Sequence, residues 1–244
     1  MNSSELAQIE SALTTFLNPS ASHTLNAEQI ISSVSSSPTF FNSLLVFVTN
    51  EQASPSVRLA ASTLMAKVLE KESQTLEKFD LNSLKASIVG IVTSTHPPLR
   101  NQIEKSMEIL VKREYPLRWP GLLDQVVDMI KNAKETKELY GGLRVLYNIF
   151  SAFKREVDEK RKPLPFLIKQ VFPFLENLLI NGTKNVSPDF PSIINLLIKI
   201  FYSTIYQQLE DSFSADSIKI WMFGAKWVVE LNPANFGIKE LPSK

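Results

Sequence analysis

From Val57 the apolar residues fall at Val57, Ala61, Leu64, Met65, Val68 and Leu69, the spacing i, i+4, i+7, i+8, i+11, i+12. On a helix of 3.6 residues per turn this is one continuous stripe. A second stripe runs through Leu99, Ile103, Met107, Leu110 and Val111. A third runs through Leu143, Leu146, Tyr147, Phe150 and Phe153. Between Phe190 and Tyr206 the apolar residues cover more than one face, which predicts a helix sandwiched between neighbours. No run alternates polar and apolar for long enough to compel a strand.

Punctuation divides the chain into about eleven helices, at 3–17, 22–36, 39–51, 55–72, 81–94, 97–113, 118–133, 136–154, 163–181, 189–207 and 214–230. Pro55 follows Ser54, Pro97-Pro98 follow His96, and Asp189 precedes Phe190-Pro191, each a helix-start signal. Asp80 stands ahead of Leu81 as an N-cap, and Asn181-Gly182 reads as a stop. The more apolar second helix of each pair begins near Pro55, Pro97, Gly141 and Pro188. Those starts are 42, 44 and 47 residues apart (97−55, 141−97, 188−141). Two helices per roughly 40–47 residues is the HEAT/armadillo period. One pair cannot bury its own apolar face, so pairs must stack. The expected fold is all-α, a right-handed α-solenoid of about five and a half HEAT repeats forming one arch over 1–244, with the second helices on its concave wall.

Composition supports helices and removes several functions. Seven Gly in 244 residues is far below average usage of roughly 7%. Fourteen Pro supply the punctuation. With no Cys there is neither a disulfide framework nor a thiolate metal cage, and two histidines, His23 and His96, are too few for zinc. A net charge of +1 argues against binding nucleic acid by bulk electrostatics. The N-terminus lacks a basic, apolar export signal. Ile193–Tyr206, interrupted by Lys199, is too short to span a bilayer, which takes roughly 20 residues. The sequons at Asn2, Asn181 and Asn185 then read as chance matches. The expectation is a soluble intracellular chain.

At Tyr115 the chain reads Tyr115-Pro116-Leu117-Arg118-Trp119-Pro120-Gly121-Leu122-Leu123. This string resembles the corner after the third repeat of the importin-β superfamily of nuclear transport receptors. Ser56-Val57-Arg58-Leu59-Ala60-Ala61, Leu99-Arg100-Asn101-Gln102-Ile103, Gly141-Gly142-Leu143-Arg144-Val145-Leu146 with Phe153-Lys154, and Lys199-Ile200-Phe201-Tyr202 resemble its second to fifth inner helices. The branch most resembled is the importin seven and eight group, with the exporter of importin-α next. The chain departs from the pattern at Ala66-Lys67, where relatives commonly carry Lys-Asn. Family receptors are several times longer, and the chain ends at Leu241-Pro242-Ser243-Lys244 within a sixth repeat, so it reads as the N-terminal part of a receptor.

The resemblance implies a monomeric receptor shuttling between cytoplasm and nucleus. Its first inner helices would grip the GTP form of Ran. Inter-repeat grooves would take Phe-Gly repeats of pore proteins, and protein cargo would bind further along. No cofactor, metal, nucleic acid or membrane is implied. An exportin of the same superfamily, or a HEAT scaffold outside transport, stays open as an alternative.

The polar positions opposite the stripes, Arg58, Ser62, Lys67, Arg100, Glu104, Lys105, Glu108 and Lys112, are the candidate partner-binding residues. Mixed charge gives specificity and encounter rate more than affinity. The plainer reading is a solvated face with i,i+4 pairs such as Glu108–Lys112, each worth about 0.2–0.5 kcal/mol. For Tyr115, Arg118 and Trp119 a structural role outweighs a binding one, with Pro116 and Pro120 fixing the bend and Trp119 in the core. The charge run Lys154–Lys162 interleaves acids with bases and reads as a solvated loop. Gly141-Gly142 opens a helix, but without a following Lys-Ser/Thr it is no phosphate loop, and close packing explains it better. His96 has no second histidine, cysteine or nucleophile motif beside it, so no catalytic constellation is legible.

Overall fold

A computed structural model describes residues 3–17, 21–72, 75–184 and 190–230. Among these the regular elements are all helical: α1 (Ser3–Leu17), α2 (Ala21–Val34), α3 (Phe40–Thr49), α4 (Pro55–Lys71), α5 (Asn82–Ser94), α6 (Pro97–Glu114), α7 (Leu122–Lys131), α8 (Thr136–Phe153), α9 (Pro163–Gly182), α10 (Phe190–Ile205) and α11 (Ala215–Val229). Short 3-10 turns at Leu76–Lys78 and Asp158–Arg161 were not legible in the pattern. The signals at Asn2, Asn185, Pro188, Asp189 and Leu241–Lys244 lie outside the described residues.

Residues 1–114 form one compact unit. Its helices pair as α1–α2, α3–α4 and α5–α6. The second helices α4 and α6 lie side by side, and so do the first helices α3 and α5. Ile9, Leu13, Phe40, Phe41, Leu44, Met65, Leu69, Leu84, Ile88, Ile103, Met107, Leu110 and Val111 are sealed from solvent between the two layers. Each such side chain contributes about 1.5–3 kcal/mol by burial. The ring of Phe41 meets Phe79 edge-on at 4.7 Å, which closes the core beneath the 3-10 turn. Polar ties supplement this packing. Glu5 of α1 accepts from Ser43 Oγ of α3 at 2.9 Å and from Ser37 and Thr39. Lys85 of α5 meets Glu114 of α6 at 2.6 Å, both largely buried.

Residues 115–244 form the other unit. Here α7 pairs with α8 and α9 with α10; α8 lies beside α10, and α11 packs on α9 and α10. Phe172 of α9 is ringed by Phe150, Phe201, Phe213 and Trp221. Trp221 stacks on Phe201 at 5.0 Å and donates its Nε1–H to Glu176 at 3.1 Å. On α10, Ile193, Ile194, Leu196, Leu197, Ile200 and Phe201 are all buried, as expected of a sandwiched helix.

Two local expectations are corrected. Asp80 is not the N-cap: α5 begins at Asn82 with Leu81 as its N-cap, and Asp80, one residue earlier, accepts from Asn82 N through Oδ1 at 3.1 Å. Gly141-Gly142 does not open a helix, because a capping box between Glu135 and Glu138 starts α8 at Thr136. The second helices α4, α6 and α8 therefore start 42 and 39 residues apart (97−55, 136−97). The Asn181-Gly182 stop holds, since α9 ends at Gly182, where a Cβ would lie 2.8 Å from Ile194 Cδ1.

Candidate protein-binding face

Helices α4 and α6 begin with proline at the first turn, and Ser54 caps α4 by accepting from Val57 N at 3.3 Å. Their apolar stripes face the interior, so residues on the opposite side of each helix reach solvent. The polar residues anticipated there divide into three groups.

Lys67 is exposed, and Lys105 is exposed and pairs with Glu70 of α4 at 2.7 Å. Lys112 lies seven residues beyond Lys105, on the same exposed side of α6. Glu108 is half-buried. These residues form a mixed-charge surface across α4 and α6. The Lys105–Glu70 pair is too solvated to add more than about 1 kcal/mol of stability.

Arg58 is half-buried and donates Nε–H to the Val48 carbonyl near the end of α3 at 3.0 Å. Arg100 is half-buried too, and its Nε is shielded from solvent without a hydrogen-bond partner among the described residues. Both sit at the first turns of their helices, where α4 and α6 start beside the preceding loops.

Ser62 and Glu104 correct the expectation of one shared exposed face. Ser62 is fully buried and donates to the Leu59 carbonyl at 2.8 Å, and Glu104 is only 7% exposed. Both are therefore covered by neighbouring structure and do not reach solvent with the lysines. Sequence spacing placed them opposite the stripe but carried no sign of which flank the neighbouring helix would cover.

Near these helix starts a cleft of about 680 Å³ opens between the loops before α4 and α6. Pro55, Leu59, Pro98 and Leu99 supply its apolar lining, with Arg58 and His96 at its edge. No spacing rule had pointed to it. The exposure of Leu59, an apolar residue next to the stripe, was the available sign.

In the other unit the Tyr-Pro-x-Arg-Trp-Pro string resolves into structural parts. Tyr115 and Trp119 are 7% and 8% exposed, and Tyr115 packs edge-on against Phe153. Burial, and then the Asp124 carboxylate, push the Tyr115 hydroxyl pKa up. Pro116, Arg118 and Pro120 face solvent. The run Lys154–Lys162 is not wholly solvated, since Arg161 is buried and salt-bridged to Glu210 at 2.7 Å. Among the described residues no group of His, Asp and Glu could hold a metal ion, and no helix is long and apolar enough to cross a membrane.

Comparison with known proteins adds a class to this geometry. No protein-family model matches the chain. It is 29% identical over 206 residues to an importin beta-like SAD2 homolog of Arabidopsis thaliana, covering 80% of the chain. It is 24% identical over 171 residues to exportin-2 of Danio rerio and 25% identical over 169 residues to exportin-2 of Homo sapiens, each covering 64% of the chain. The chain spans about a fifth of the length of these relatives, 20%, 17% and 17%. Among solved structures, the exportin Cse1 in its cargo-free, cytoplasmic state matches with a TM-score of 0.70 at 19% identity, over 90% of this chain and 25% of that one. The all-α, HEAT-type solenoid fold is therefore shared with Cse1. The chain's relatives are importin-β-like and exportin proteins, which supports the superfamily that the Trp-Pro corner resembles.

Proposed function

We propose that the chain is a segment of a nuclear transport receptor of importin-β type that binds the GTP form of Ran and takes part in protein import. The observation that carries this reading is the mixed-charge surface of Lys67, Glu70, Lys105 and Glu108. It lies on the two helices whose sequence strings resemble the family's Ran-gripping helices. Alternating charges there reject wrong partners and speed encounter. Arg58 ties the start of α4 to the Val48 carbonyl near the end of α3. Within the superfamily we assign the chain to the importin seven and eight branch on the family-like strings taken together.

Mechanism is binding linkage. Ran-GTP and cargo favour different states of the receptor, or overlap, so each lowers the other's affinity by the same factor. The cleft lined by Pro55, Leu59, Pro98 and Leu99 offers apolar walls for an aromatic ring of a Phe-Gly repeat. Such a receptor works as a monomer without cofactor and shuttles between cytoplasm and nucleus.

The test is the affinity of the chain for Ran locked in its GTP and GDP states, for wild type and Lys67→Glu/Lys105→Glu. The expected outcome is preference for the GTP state and a loss of about tenfold in the variant. Binding without nucleotide preference would place the chain among scaffolds outside transport.

A second reading is favoured by the matches to exportin-2 and Cse1. In an exportin, cargo and Ran-GTP bind together. Measuring whether a cargo protein raises or lowers Ran-GTP affinity separates the two.

A further inference from the structure

Four of the five tyrosines stand on α8 and α10 or within a residue of their ends: Tyr140, Tyr147, Tyr202 and Tyr206. Tyr140, Tyr147 and Lys154 recur every seventh residue and therefore follow one side of α8 and its C-cap. Lys199, Tyr202 and Tyr206 follow i, i+3, i+7 along the exposed side of α10. Tyr202 and Tyr206 are 50% and 43% exposed, unusual for large rings on a helix that is otherwise buried on most faces.

Their arrangement is specific. The two rings stand 5.7 Å apart at 85°, and the Lys154 ammonium sits 4.7 Å and 4.6 Å from their centroids. Two converging π-faces hold a cation at the end of α8, and the exposed Lys199 stands one turn before Tyr202 on α10. No Asp or Glu occurs between Leu139 and Lys154, nor between Phe190 and Tyr206. Glu210, which lies nearby in sequence, is buried and taken up by Arg161. The face is therefore aromatic and positive; the one carboxylate of α8, Glu138, stands on its first turn and accepts from the Lys134 and Glu135 N–H groups. Exposed tyrosine is enriched in protein–protein contacts, and the two lysines add a positive charge that only an acidic partner complements.

We propose that the α8–α10 face docks an extended, acidic segment of a protein partner. Its carboxylates would meet Lys154 and Lys199, and an apolar or aromatic side chain would pack on Tyr202 and Tyr206. The carboxylates draw the Lys154 ammonium outward and leave the tyrosine rings free for that side chain. This face belongs to the second unit and stands independently of the Ran reading.

The probe is a fluorescein-labelled peptide of Glu, Asp, Phe and Gly, followed by fluorescence anisotropy with the whole chain at low and physiological salt. A Lys-for-acid peptide and a single-stranded oligonucleotide serve as comparisons. Expected are binding of the acidic peptide alone and weakening with salt. Lys154→Glu/Lys199→Glu should lose about tenfold or more. Tyr202→Ala/Tyr206→Ala should lose several-fold, with recovery in the Phe pair. Lys71→Glu/Lys169→Glu, the same charge change on other exposed helix faces, should bind as wild type. Unchanged affinity in the Lys154/Lys199 variant overturns the proposal. So does equal binding of the Lys peptide, or binding of the oligonucleotide in place of the acidic peptide. Lys154→Gln/Lys199→Gln, which removes charge without adding repulsion, must show a partial loss.

Discussion

Removing the Arg161 side chain should destabilise the second unit far more than any other charge removal in the Lys154–Lys162 run. Arg161 donates Nε–H to Glu210 at 2.7 Å, Nη2–H to the Thr204 carbonyl at 2.8 Å and Nη1–H to the Phe153 carbonyl at 3.4 Å. The two side chains are only 8% and 9% exposed. The guanidinium thus ties the end of α8 to the end of α10 and neutralises a buried carboxylate. Arg161→Ala leaves that carboxylate charged and without its partner. Losing one member of a buried pair costs about 3–5 kcal/mol. Replacing both members with apolar residues removes the stranded charge and leaves mainly the two carbonyls to be satisfied, about 1–3 kcal/mol. Arg161→Met/Glu210→Leu should therefore be more stable than Arg161→Ala. All three tryptophans, Trp119, Trp221 and Trp227, lie in the second unit, so their fluorescence in urea follows that unit alone. With a urea slope of about 1–3 kcal/mol/M, the single substitution should lower the midpoint by about 1 M or more. A loss under about 1 kcal/mol, the range of an exposed pair, would refute the reasoning. So would a double variant no more stable than Arg161→Ala.

Other substitutions test other layers of the fold. Backbone N–H groups of Lys134 and then Glu135 hold the Glu138 carboxyl below its usual range. Its folded pKa is depressed, so its contribution is complete above the ordinary value of about 4.3 and disappears as pH falls through the folded value. Amide exchange at Lys134 and Glu135 should quicken in that acid window, and Glu138→Gln should flatten the dependence. Gly142→Ala would bring a Cβ to 2.7 Å from Ile130 Cγ1 and should cost about 1–3 kcal/mol by tryptophan fluorescence, with partial recovery in Ile130→Ala/Gly142→Ala. Glu5→Ala would deprive the fully buried Ser43 hydroxyl of its acceptor and should cost about 1–3 kcal/mol. The first unit has no tryptophan, so circular dichroism or amide exchange in α3 is the readout, and Glu5→Gln should recover much of the loss.

Local physics made the helices legible. Apolar residues at 3.6-residue spacing predicted α4, α6 and α8, and Ser54-Pro55 predicted where α4 starts, because period and capping act within a few residues. Trp119 was legible as core because so large a ring between two prolines has little alternative to burial. What each polar residue does was settled elsewhere. Ser62 and Glu104 are hidden by tertiary packing, while Lys67 and Lys105 on the same two helices stay exposed. Arg161 looked like one more base in a solvated run until tertiary packing brought Glu210, 49 residues away, against it. The Lys154 cradle likewise needs α8 and α10 side by side. Helix formation is decided by neighbours in sequence. Burial, pairing and the identity of the exposed face are decided by neighbours in space, and a linear pattern carries no record of those.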